Sequence, residues 1–305
     1  MPRLRVDQYL AVIVFSMVLM TPVAIAVPLQ QLSTPVNLKA VAPIPVAVAD
    51  ELSDEELLAT VSARSIAVID VESASILLQR HAHEPISPAS TTKLMTALVA
   101  RENYDLDQIM TVSSGSASVG HVIGFPVGSQ FTVKELLKAL LISSGNDAAN
   151  ILAQHHPQGY IQFVTEMNQQ AQALNLTQTS FTNPAGLDAF DHQTTAFELS
   201  LLAREFMKDD FFSTIVDEEE SIITDVSGRI VFNLYNTNQL IGRSDVVGIK
   251  TGTTDLAGEA LITQVERDGK AIIIVLLGSQ NRYVDTEQIM EWVFRQYRWE
   301  NFSVS

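Results

Sequence analysis

Ser90 and Lys93 stand three residues apart in the stretch Pro88-Ala89-Ser90-Thr91-Thr92-Lys93-Leu94-Met95. On a helix that spacing puts both side chains on one face. A serine hydroxyl is a poor nucleophile until a base takes its proton. Lysine supplies that base where burial and a neighbouring positive charge depress its pKa. A helix start adds free N–H groups suited to a developing oxyanion. The pair also has a purely structural reading, in which Ser90 caps a helix and Lys93 is solvated. A chain this long holds roughly one Ser-x-x-Lys by chance.

Two further patterns carry possible chemistry. Ser144-Gly145-Asn146 falls between two helical patterns, in a tight turn. Its hydroxyl could relay a proton and its amide could hold a substrate carbonyl. The alternative is a helix-ending glycine beside a polar neighbour, and Ser279-Gln280-Asn281 shows how cheaply the pattern arises. Lys250-Thr251-Gly252 is rarer, with a chance expectation under about a tenth of one occurrence. At a strand edge Lys250 and Thr251 can bind a carboxylate, and Gly252 lets a peptide backbone lie close. Here the alternative is a basic turn residue at a strand start.

The elements that must position these residues follow from periodicity. Ser65 to Val71 and Ser75 to Leu78 are short apolar runs around a turn, which predicts a hairpin. Gly258 to Glu266 and Ala271 to Leu277 flank Asp268-Gly269, a strong hairpin turn. Between these ends, helical spacing marks Thr92–Arg101, Val133–Ile142, Asp147–Gln154, Tyr160–Leu174 and Ala196–Met207, and it returns over Asp285–Tyr297. A sheet made from both chain ends with a helical insertion between them is an α+β arrangement.

Composition narrows the class. The formal charge of −16 over 305 residues argues against a nucleic-acid partner, which would need clustered Lys and Arg. The absence of cysteine removes disulfides, thiolate zinc sites and cysteine nucleophiles together. Arg3 and Arg5 precede an uncharged apolar run from Tyr9 to Ala26, with Pro22 near its end and Ala24-Ile25-Ala26 as a cleavage pattern. Residues 1–26 are therefore expected to be an export signal, with a retained membrane anchor through residues 9–26 as the alternative. Either reading places the remainder outside the cytoplasm. Residues 27–52 are expected to be a flexible Pro/Ala/Val-rich leader, and Ser53-Asp54-Glu55-Glu56 a capped helix start that opens one domain spanning 53–300.

Taken in order, Ser-x-x-Lys, Ser-x-Asn and Lys-Thr-Gly are the signature set of the penicillin-recognising serine enzymes. The local context resembles the D-alanyl-D-alanine carboxypeptidases, the low-molecular-mass penicillin-binding proteins. The stretches that carry this likeness are Pro88–Thr96, Ser144–Ala149, Asn183-Pro184-Ala185-Gly186-Leu187, Asn236-Thr237-Asn238 and Gly248–Gly252. The resemblance covers about Ala63 to Tyr297. It implies a β-lactamase/transpeptidase-like fold, an antiparallel sheet flanked by helices with a helical subdomain. It also implies Ser90 as nucleophile, Lys93 as general base, Ser144 as proton relay and Asn146 on the opposite wall. Lys250, Thr251 and Gly252 would engage the terminal carboxylate end of the substrate, and the backbone N–H of Thr253 would join that of Ser90 as an oxyanion hole. The implied substrate is the peptidoglycan stem peptide, with β-lactams as inhibitors and no cofactor.

Family members often carry a further β domain and a C-terminal anchor. Only 53 residues follow Gly252 here, and the last strands and helix of the catalytic domain consume them, so attachment is expected through the N-terminal segment. Thr253 occupies a position where relatives vary. Three rivals stand beside the carboxypeptidase reading: endopeptidase action on cross-links, a serine β-lactamase, and a non-catalytic penicillin-sensing or wall-binding module. Ser-Gly-Asn in place of Ser-Asp-Asn, and no evident deacylating glutamate, weigh against the lactamase. A binding module would not need the Ser–Lys pair. His192 reads as structural, Asp217–Glu220 as a solvated loop, and Trp292, Phe294, Tyr297 and Trp299 as packing. No His-Glu-x-x-His pattern supports a metalloprotease.

Overall fold

Two stretches from opposite ends of the chain meet in one sheet. In the computed structural model, which describes residues 43–48 and 53–300, β1 (Ile44–Ala47) and α1 (Asp54–Thr60) precede a hairpin of β2 (Ser65–Asp70) and β3 (Ile76–Arg80). All described residues belong to one unit. α1 begins at the expected cap: Ser53 Oγ accepts the Glu56 N–H and the Glu56 carboxylate accepts the Ser53 N–H. A 3-10 turn over Ala89–Thr92 leads into α2 (Lys93–Asn103). The ribbon of β4 (Ile109–Thr111) and β5 (Gln130–Thr132) follows, then α3 (Val133–Leu141), α4 (Asn146–Gln154), α5 (Tyr160–Ala173), α6 (Ala196–Phe206) and α7 (Asp210–Val216). The hairpin of β6 (Glu220–Thr224) and β7 (Val231–Tyr235) precedes three long strands, β8 (Val246–Thr254), β9 (Gly258–Arg267) and β10 (Lys270–Ser279). α8 (Arg282–Gln296) and β11 (Tyr297–Glu300) complete the order.

The central sheet runs β3-β2-β10-β9-β8, with every neighbour antiparallel. β2 joins β10 through pairs such as Val68 with Ile274, so the two chain ends close the sheet between them. Side chains alternate along a strand. In β10, Ile273 and Val275 enter the core shared with α2, α3, α4 and α6, while Ile272, Ile274 and Leu276 pack with Trp292 of α8 and Leu57 of α1. Both faces are covered, which is why this strand reads as an unbroken apolar run. The β9–β10 turn has φ of +50° at Asp268 and +71° at Gly269, the two positive values that a tight hairpin needs. The fold is the expected α+β arrangement.

Some elements depart from the expectation. Ile44–Ala47, inside the stretch expected as a flexible leader, pairs with Tyr297–Glu300 as β1 against β11. Glu220, expected in a solvated acidic loop, opens β6, and Glu218 pairs with Lys138 of α3 at 2.9 Å. That hairpin buries only Ile223 and Leu234 on its inner side, so its apolar pattern is too sparse to announce two strands. A turn signal was present: Asp225 Oδ1 accepts the N–H groups of Arg229 and Ile230 around Ser227-Gly228. Residues 1–26 and most of the expected leader lie outside the described residues. Among those described, no helix is long and apolar enough to cross a membrane.

Candidate active site

The turn that carries Ser90 is held against its own conformational preference. Ala89 has a φ of +49°, in the left-handed region that a Cβ disfavours. The hydroxyls of Thr91 and Thr92 donate to the carbonyls of Pro88 at 2.6 Å and Ala89 at 2.8 Å, which closes the turn. Lys93 then opens α2 fully buried, contrary to the reading of a solvated lysine. Its Nζ lies 2.8 Å from Ser90 Oγ, 2.7 Å from Asn146 Oδ1 and 2.5 Å from the Ala185 carbonyl oxygen. Burial first, and then the charge of Lys250, hold the Lys93 ammonium well below its ordinary pKa, with Asp147 opposing. A neutral amine has two N–H donors and one lone pair. Asn146 Oδ1 and Ala185 O are acceptors only, so the lone pair is left for the Ser90 O–H.

The Ala185 carbonyl reaches Lys93 because Asn183 bends the chain. Asn183 Oδ1 accepts the N–H groups of Ala185, Gly186 and Leu187 at 2.8–3.2 Å. Gly186 follows with a φ of +85°, and a Cβ there would lie 1.9 Å from the Ala89 carbonyl oxygen. Gly186→Ala is therefore expected to destabilise the fold by about 2–4 kcal/mol. It should also displace the Ser90 turn. The urea midpoint and the rate of penicillin labelling measure the two effects, and an unchanged midpoint would contradict the close approach.

The opposite wall is the turn before α4. Ser144 has a φ of +59° and is buried, but its hydroxyl makes no hydrogen bond among the described residues. Asn146 donates through Nδ2 to the Val119 carbonyl at 2.7 Å while its Oδ1 faces Lys93. Asp147, which sequence reasoning did not single out, accepts the N–H groups of Ile123 at 3.0 Å and Gly124 at 2.8 Å, fixing the segment that flanks the wall.

The third side is β8, the edge strand of the sheet. An edge leaves one row of backbone groups without a strand partner, so an extended peptide can lie along it. A Cβ on Gly252 would sit 3.0 Å from Ala89 Cβ and 3.1 Å from the Ser90 nitrogen, so glycine sets how closely this edge approaches Ser90. Lys250 is buried, and burial followed by the Arg282 charge pushes its pKa down to about 7. Thr251 Oγ1 lies 2.6 Å from Thr237 Oγ1, in the Asn236-Thr237-Asn238 stretch, and the Tyr283 hydroxyl donates to the Thr237 carbonyl at 2.9 Å. Arg282, also missed from sequence, donates through Nη1 to the Gly252 carbonyl at 2.8 Å and to Thr253 Oγ1 at 2.9 Å. It adds a second positive charge beside Lys250, and as a lone arginine at a helix start it left no motif to read.

Two residues brace the turn from behind. His192 is buried; its Nδ1 accepts the Thr182 N–H at 2.9 Å, which leaves Nε2–H to donate to Thr92 Oγ1 at 2.9 Å. Burial pushes its pKa down to about 4, so the ring is neutral at ordinary pH. Asp188 accepts from the Ser87 hydroxyl at 2.7 Å, the Thr254 hydroxyl at 2.8 Å and the Leu256 N–H at 3.2 Å, joining the approach to Ser90 to the end of β8.

The family model described as D-alanyl-D-alanine carboxypeptidase matches residues 50–281. The D-alanyl-D-alanine carboxypeptidase DacF of Bacillus subtilis is 31% identical over 245 residues, 77% of this chain and 63% of the relative, so the chain spans under two thirds of that protein. The D-alanyl-D-alanine endopeptidase of Escherichia coli is 27% identical over 76% of this chain and 77% of the relative. Among solved structures, the Streptomyces K15 DD-transpeptidase superposes with a TM-score of 0.74 at 29% identity, covering 77% of this chain and 98% of that one. The matched region contains Ser90, Lys93, Ser144, Asn146 and Lys250–Thr253. The chain belongs to the D-alanyl-D-alanine carboxypeptidase family.

Proposed function

We propose that this chain is an extracytoplasmic serine carboxypeptidase that removes the terminal D-alanine from peptidoglycan stem pentapeptides through an acyl-enzyme on Ser90. The observation that carries the reading is the buried Lys93 amine, 2.8 Å from Ser90 Oγ, with its other two partners both acceptors. Lys93 Nζ takes the Ser90 proton as Oγ attacks the penultimate D-alanine carbonyl. The N–H groups of Ser90 and Thr253 hold the oxyanion. Lys250, Thr251 and Arg282 receive the terminal carboxylate, and Gly252 lets the peptide lie along the strand edge. As the C–N bond breaks, the proton held on Lys93 passes to the leaving amine by way of the Ser144 hydroxyl. Water then cleaves the ester and frees Ser90. Penicillins, which mimic the D-alanyl-D-alanine end, acylate the same oxygen. Residues 53–300 form the catalytic domain, exported by residues 1–26, with residues 9–26 as a membrane anchor if they are retained.

Hydrolysis of the acyl-enzyme separates this reading from a β-lactamase. Asp147, in the first turn of α4, and Asp188, on the loop before α6, both engage their oxygens in protein hydrogen bonds. That leaves neither poised to activate water against a penicilloyl ester. The purified protein is expected to release D-alanine from a pentapeptide ending in D-alanyl-D-alanine, while turning over a nitrocefin-type β-lactam slowly. Rapid β-lactam turnover without D-alanine release would establish the lactamase instead.

A further inference from the structure

Beyond the end of β8 the surface opens into a groove of about 590 Å³, walled by Leu256, by the segment from Asp188 to Gln193, and by Arg64. The mechanism above uses none of this space. Phe190 stands 90% exposed beside it and Leu256 69% exposed. Folding gains little from two large apolar side chains held in water. Their placement is not slack in the loop. Asp188 is tied to Ser87 and Thr254 on one side of Phe190. On the other, Ser180 and Gln193 exchange backbone hydrogen bonds at 2.9 and 3.0 Å, and the Ser180 hydroxyl donates to the Asp191 carbonyl. The ring is presented from a segment pinned at both ends. Around it, the side chains of Asp191 and Gln193 form no hydrogen bond among the described residues, and the Arg64 guanidinium reaches only Glu84, at 3.8 Å. An apolar ring face ringed by free planar donors and acceptors suits a pyranose, which has C–H faces and an equatorial rim of hydroxyl and amide groups.

The substrate's path leads to the same place. With the terminal carboxylate at Lys250 and Thr251 and the scissile carbonyl at Thr253, the rest of the stem peptide continues toward Leu256. β8 ends at Thr254, one residue past Thr253, and Leu256 lies in the turn that leads into β9. Four extended stem residues at about 3.3–3.6 Å each reach about 14 Å from the scissile carbonyl toward the muramic sugar, and further where one of them is linked through its side-chain carboxyl. That reach carries the sugar past the end of β8 to the surface that Phe190 and Leu256 line.

We infer that the Phe190–Leu256 groove binds the glycan saccharide attached to the stem peptide, with Phe190 as the platform beneath a sugar ring. The inference rests on the carboxypeptidase reading for the direction of the peptide. It is tested by D-alanine release from a free pentapeptide and from the same pentapeptide carried on its disaccharide. Phe190→Ala is expected to raise KM for the disaccharide-linked substrate about three- to tenfold. Both kcat and KM for the free pentapeptide should stay as in the wild type, and Phe190→Tyr should keep the wild-type preference. Equal effects on the two substrates, or none on either, would overturn the inference. A nuclear magnetic resonance titration with the peptide-free disaccharide gives an independent reading: shifts at Phe190 and Leu256 support the groove, and their absence refutes it. If wild-type protein released no D-alanine from either peptide, the carboxypeptidase reading would fail, and the saccharide titration would still decide the groove.

Discussion

Ser90→Ala is expected to abolish covalent labelling by a fluorescent penicillin, lowering the acylation rate by at least about 10⁴-fold. The magnitude follows from the geometry around one amine. Lys93 Nζ touches Ser90 Oγ, Asn146 Oδ1 and the Ala185 carbonyl, and no hydrogen bond joins it to Ser144. With the Ser90 oxygen gone, no second hydroxyl contacts the base, so nothing replaces the nucleophile. The fold should survive, because the turn is held by Thr91, Thr92 and His192 rather than by Ser90. An unchanged melting temperature alongside lost label is the expected pair of results. Label that persisted in the alanine variant would move the nucleophile elsewhere, with Ser144 the first place to look.

Lys93→Ala should slow acylation by about 10²–10⁴-fold, the usual contribution of a positioned general base. The pH profile gives a sharper test, and its sign follows from two lysines in opposite states. Lys93 must be neutral to accept a proton, and its pKa lies well below the ordinary lysine value because burial and Lys250 disfavour its charge. Acylation therefore rises as pH climbs through the Lys93 pKa. In the proposed mechanism Lys250 must be charged to hold the substrate carboxylate, and its pKa is pushed down to about 7. Loss of that charge as pH rises past about 7 should oppose the gain from Lys93, and the two titrations together give a bell. Lys250→Arg keeps a positive charge at alkaline pH, so it should shift the alkaline limb upward and leave the acid limb with Lys93. If that substitution left the alkaline limb in place, Lys250 would not be the group that titrates there. Stopped-flow acylation across pH, in both proteins, reads the two limbs directly.

The placement of Ser90, Lys93 and the two wall motifs around one site was legible because each motif is a few adjacent residues. Ser90 and Lys93 need only a helical turn between them, and Lys250–Gly252 only a strand. What joins the motifs was not legible. Asn146 meets Lys93 across 53 positions and the Ala185 carbonyl meets it across 92, and a backbone carbonyl has no side chain to mark it in a sequence. The close fits at Gly186 and Gly252 belong to the same class: each glycine is ordinary until a neighbouring chain segment is brought against it. Ser144 shows the converse. Its motif suggested a proton relay, and the turn does place it on the wall in a left-handed conformation, yet without a hydrogen bond to Lys93. The fold was readable where apolar periodicity was dense, as in β10, and opaque in the β6–β7 hairpin, where half of the strand residues are exposed and only two are buried.

The pairing of β1 with β11 has a mechanical consequence. Ile44 and Glu300 are partners at one end of that ribbon, and Ala47 and Tyr297 at the other. A pull applied to Ile44 and Glu300 loads one pair at a time from the outer end, since antiparallel hydrogen bonds lie across the strands. The ribbon opens like a zipper under a small force, and the bond from Trp299 Nε1 to Asp70 marks where that opening first meets the central sheet. Tension entering through the chain ends is thus dissipated in a peripheral ribbon. The contacts that set Ser90 against Lys93 lie between residues 86 and 282, inside the load-free part of the molecule.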